Sequence, residues 1–99
     1  MSNVRTIVLD DAVIDAIQQA DIEQSARMEV LSRCIERGMD MTSDTFQQYQ
    51  KEYNMWFAKF SELKQGIERD FVNTTTSPNG AAPTRWSLDY HTKTLTITY

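Results

Sequence analysis

Between Phe46 and Ile67, the residues Phe46, Tyr49, Tyr53, Trp56, Phe60, Leu63 and Ile67 repeat with steps that alternate between three and four. That spacing commits the segment to an α-helix with one apolar stripe, and such a stripe must be covered by another element. Thr42 is a good N-cap, and Met41 and Phe46 have the spacing of a hydrophobic staple around it. The helix is predicted to run from about Ser43 to about Phe71.

The covering element lies upstream. Asp10 and Asp11 are N-cap candidates that place negative charge at a helix N-terminus, and no Gly or Pro follows until Gly38. Ile14, Ile17, Met28, Leu31 and Ile35 repeat on a three-four spacing, with Asp21 and Gln24 at the middle positions. Glu23 with Arg27 and Glu29 with Arg33 are i,i+4 pairs in the favourable order, and Gly38 suits a left-handed cap. Two helices joined by a short loop pack antiparallel. In that register Ile35 lies near Phe46, Met28 near Tyr53 and Ile14 near Ile67, while Asp21 and Gln24 face Trp56 and Phe60. Trp56 and Phe57 are adjacent, so one of them needs a second contact surface.

The ends read as β-structure. "NVRTIVLD" alternates weakly and suits a short strand, and "RWSLDYHTKTLTITY" alternates through Trp86, Leu88 and Tyr90, then Leu95, Ile97 and Tyr99. His91-Thr92-Lys93 suits the hairpin loop, and "NTTTSPNGAAPT" (73–84) is a turn-rich linker holding both prolines. The predicted fold class is α+β, in the order β-α-α-β-β: a long antiparallel helical hairpin, with the N-terminal strand and the C-terminal β-hairpin forming a small sheet. It is read as a single domain over 1–99, with strand and helical hairpin in 1–72, linker in 73–84 and β-hairpin in 85–99.

Charge narrows the function classes. Residues 1–45 carry nine acids against four bases, and 46–99 five against six. Phosphate binding needs a basic surface, so direct nucleic-acid binding is not expected. No apolar run approaches a membrane span, and the start has no secretory-signal pattern, so no membrane association is expected. A lone Cys34 fits a reducing, cytoplasmic setting. His91 has no second histidine and Cys34 no second cysteine for a metal set. Asp10, Asp11 and Asp15 weakly resemble a magnesium cluster, which helix-start capping explains more simply. Gly38, Gly66 and Gly80 make no phosphate loop. The reading is therefore a non-enzymatic protein with no cofactor, no metal and no catalytic residue. It would bind a protein or peptide partner and could form a homo-oligomer. Phe57, Trp86, Tyr90 and Tyr99 are the candidate partner-binding residues, set against the alternative that these rings close the core.

The aromatic second helix "YQKEYNMWFAKF", the Gly/Pro linker and the terminal W-x-L-D-Y-x-T-x-x-L pattern of residues 86–95 together resemble the small CXXX-repeat-peptide modification system proteins. These accompany radical-SAM peptide maturases in bacterial gene clusters. The resemblance implies an accessory protein that binds a precursor peptide or a maturase, and it carries over no catalytic residues. An exposed strand edge of the terminal sheet would then capture an extended peptide by β-addition. Two other readings stand beside it. One is a phage-type inhibitor, anti-CRISPR-like, occupying a basic channel. The other is a modified-peptide precursor with residues 1–72 as leader.

Overall fold

The computed structural model describes residues 3–75 and 80–99. The middle of the predicted linker, residues 76–79, lies outside the described residues. The elements follow the predicted order: β1 (Val4–Val8), α1 (Asp11–Glu36), α2 (Asp44–Ile67) continued by a π-helical turn (Glu68–Val72), β2 (Arg85–Asp89) and β3 (Thr94–Thr98). Internal contacts divide the chain into two compact units, Met1–Ala16 with Leu63–Tyr99, and Ile17–Glu62.

The first unit is built on an antiparallel sheet of order β1-β3-β2. The register pairs Arg5, Ile97 and Trp86 in one row and Ile7, Leu95 and Leu88 in the next. These side chains share one face, because alternate residues of a strand point the same way. Leu95 and Ile97 are fully buried on it, and Leu9, Ile14, Ile67 and Val72 are buried in the same unit. Each such side chain contributes about 1.5–3 kcal/mol on burial. The opposite face carries Val4, Thr6 and Val8 beside Thr98, Thr96 and Thr94.

Helix two does not end as a plain α-helix. The Asn73 N–H donates to the Glu68 carbonyl at 2.7 Å, a bond spanning five residues. In an α-helix Ile67 and Val72 would stand about 140° apart. The wider π turn returns Val72 to the side of Ile67, and both are 3% exposed. The same turn presents the Glu68 carboxylate to the Trp86 indole N–H at 2.9 Å.

The second unit is a helical hairpin. Its α1 segment closes on Gly38, at φ +75°. The Gly38 N–H donates to the Ile35 carbonyl at 3.0 Å and the Met39 N–H to the Cys34 carbonyl at 2.9 Å, a Schellman pair. Leu31, Cys34 and Phe46 form the buried cluster, with Met39, Tyr49 and Tyr53 packed against it. The aromatic row on α2 faces inward as expected, since Phe46 is buried and Tyr49, Tyr53, Trp56 and Phe60 are half-buried.

Two expectations need correction. Met28 and Ile35, expected on the inner row of α1, are 43% and 55% exposed. Ile14, Ile17 and Leu31 are buried as expected, while the remaining inner positions belong to Ala20, Arg27 and Cys34, each one residue or about 100° away from Asp21, Met28 and Ile35. Arg27 takes the place assigned to Met28 because its guanidinium lies 5.6 Å from the centroid of the Trp56 ring. The second correction is the cap of α2. The Ser43 hydroxyl, not Thr42, accepts the Phe46 N–H at 3.2 Å. Thr42 instead gives its N–H and its hydroxyl to the Asp40 carboxylate, at 2.8 and 2.7 Å. Met41, the expected staple partner of buried Phe46, is 58% exposed.

Candidate functional site

The four candidate binding residues divide between the units. Phe57 belongs to the hairpin, 47% exposed, with its ring stacked on Tyr53 at 5.6 Å. It is the residue beside Trp56 that the inner row could not hold. Trp56 itself is half-buried beneath two cations, Arg27 and Lys59, the latter 5.4 Å from its centroid.

Trp86, Tyr90 and Tyr99 belong to the sheet-bearing unit, and all three are half-buried. Trp86 is tied to Glu68 through its indole. The Tyr99 hydroxyl donates to Thr75 Oγ1 at 2.9 Å, and its backbone N–H to the Asn3 carbonyl at 2.8 Å. These partners hold Trp86 and Tyr99 in place within the unit. A recess of about 190 Å³ beside Trp86 is lined by Glu68, Val72, Asn73, Pro83, Thr84 and Arg85. Cys34 is buried in the hairpin cluster, and His91 is exposed in the β2–β3 turn.

That turn is built by Asp89. Its carboxylate accepts the backbone N–H groups of His91 at 2.9 Å and Thr92 at 3.2 Å, and Lys93 closes the turn at φ 58°. The Thr92 and His91 donors hold the Asp89 carboxyl below the usual carboxylate range. Lys93 donates to the Asp11 carboxylate at 2.7 Å, which raises the Lys93 pKa and ties the turn to the first turn of α1.

The sequence predicts an exposed strand edge without naming it, and the outer edge of β1 is one such edge, with none of its residues among the four candidates. The Leu9 N–H donates to Lys93 and the Tyr99 N–H to Asn3, which marks Leu9–Lys93 and Asn3–Tyr99 as hydrogen-bonded pairs. Such pairs alternate along an antiparallel ladder, so Arg5–Ile97 and Ile7–Leu95 are hydrogen-bonded as well. Val4, Thr6 and Val8 therefore direct their peptide N–H and C=O groups away from β3. Among the described residues no strand lies on that side. Val4 is 45% and Val8 76% exposed, and the strand has no proline or outward charge at these positions. The weak alternation of "VRTIV" was the available signal: valines point outward where a solvated strand normally carries polar groups.

No family model matches the chain, and no curated protein or solved structure is significantly similar to it. The site thus stands on its geometry. Among the described residues no group of three or more His, Cys, Asp or Glu is placed to hold a metal ion, and no helix is long and apolar enough to cross a membrane.

Proposed function

We propose that this protein is a non-enzymatic peptide-binding module in which the free edge of β1 takes an extended segment of a partner as an additional strand. One observation carries the reading: the outward peptide groups of Val4, Thr6 and Val8, flanked by exposed valines, form an uncovered hydrogen-bonding template. Main-chain bonds would supply affinity, and the two valines would select an apolar residue at alternate positions of the guest.

The resemblance to peptide-modification accessory proteins supplies the class of partner: a ribosomally made precursor peptide, or the maturase that tailors it. The setting we propose is the reducing cytoplasm, where an unpaired Cys34 is at home. The test is isothermal titration of the full chain against the peptides encoded beside its gene. Saturable heat with at least one peptide, abolished by Thr6→Pro, is the expected result. Absence of heat with every peptide at high concentration would end the reading.

A further inference from the structure

The free edge of β1 is its own complement. Take the outward residues in order: Val4, Thr6, Val8. An antiparallel copy of the strand, related by a two-fold axis at Thr6, sets Val4 opposite Val8 of the second copy, Thr6 opposite Thr6, and Val8 opposite Val4. All three are hydrogen-bonded positions on both strands, so each pair exchanges two main-chain bonds, about six in all. The exposed valines, 45% and 76% accessible, meet as direct cross-strand neighbours on one face. The contact is isologous and closes on itself, so it ends at a dimer.

We infer that a second copy of this chain occupies the β1 edge in the absence of a peptide, joining two three-stranded sheets into one of six strands. The inference rests on the reading of β1 as the binding edge and names how that edge is regulated: guest and second copy compete for the same peptide groups.

Charge and area bear on its strength. None of the outward side chains is charged on a chain of net charge −4, so the edge lacks the repulsion carried elsewhere. Arg5 is the only charge in β1; it faces Ile7 of the second copy and stands diagonal to that copy's Arg5, a like-charge contact that salt screens. The strand offers five residues a side. A standard stable interface uses about 20–30. The dimer is therefore weak, with a Kd on the order of 10–1,000 μM, and a peptide of moderate affinity displaces it.

Sedimentation velocity on the full chain, from about 5 to 1,000 μM, tests this without any peptide. The expected result is a monomer–dimer equilibrium that strengthens as salt is added. Thr6→Pro removes the outward N–H without touching the β1–β3 ladder, and should leave a monomer at every concentration with an unchanged circular dichroism spectrum. Val8→Lys, at a highly exposed position, should weaken the dimer by about tenfold or more, and keeps the test decisive if the proline variant does not fold. A wild-type monomer at the highest concentration overturns the inference. So does a dimer that persists in a folded Thr6→Pro or in Val8→Lys, or one that is lost on Phe57→Glu alone. A chain that binds peptide yet never dimerises refutes only the self-pairing. A chain that dimerises as described but binds no peptide refutes only the proposed function.

Discussion

At the scale of single residues, the most informative positions are those where backbone geometry leaves one chemical choice. Gly38 stands at φ +75°, and a Cβ built there would meet nothing within 4 Å. The cost of Gly38→Ala is thus conformational, without a steric part: about 1 kcal/mol, seen as a fall in Tm of roughly 4–8 °C. Asp89 and Asp40 form the other such positions, each carboxylate accepting backbone N–H groups in its own turn. Thr92 and His91 lower the pKa of Asp89; the N–H and then the hydroxyl of Thr42 lower that of Asp40. Both groups are depressed in the folded chain, so their contribution is complete above the ordinary carboxylate range and is lost as pH falls through the depressed values. Carboxyl NMR titration should place both midpoints below the ordinary aspartate range, and Thr42→Val should return Asp40 part of the way. Gly38 was legible in the sequence because glycine after an uninterrupted helical run has one common use. The shift from Thr42 to Ser43 was not, since both residues can cap, and only the competing Asp40 carboxylate decides between them.

At the scale of elements, the two helices show how far periodicity reads. The α2 row was legible whole, because seven bulky residues at heptad spacing leave no other face to bury. The α1 row was only half legible, because hydropathy ranks Arg27 as surface and Met28 as interior. The hairpin reverses them: Arg27 is kept against the Trp56 ring, its guanidinium also paired with Glu23, while Met28 is exposed. Trp56 accordingly behaves as a half-buried ring with two cations close to it. Trp56→Ala should cost about 1–3 kcal/mol by urea unfolding, below the roughly 3–5 kcal/mol of a fully buried tryptophan. A loss of 4 kcal/mol or more, on the order of a complete core deletion, would show the ring to be enclosed on all sides. The π turn after Ile67 is the other feature invisible to a fixed period. A scan at 3.6 residues per turn runs past it and favours Phe71, whereas Val72 is the residue buried.

At the scale of the whole molecule, the strand order β1-β3-β2 has the largest consequence. It puts the last strand in the centre, paired on both sides, and leaves the first strand on an edge. Hydrogen exchange in dilute solution should find the β3 amides the slowest of the sheet. The amides of Thr6 and Val8 should exchange close to the unprotected rate. Strong protection of Thr6 under those conditions would mean that the edge is already covered. The sequence by itself determined the kinds of element, their order, the α+β class and the inward row of α2, because these follow from side-chain periodicity and from local turn chemistry. Only the tertiary structure decided which strands are left half-paired, which residue caps α2 and which face of α1 is buried. Those outcomes depend on where main-chain groups find partners and on what a long side chain lies against, and neither is written in the hydropathy of any one segment.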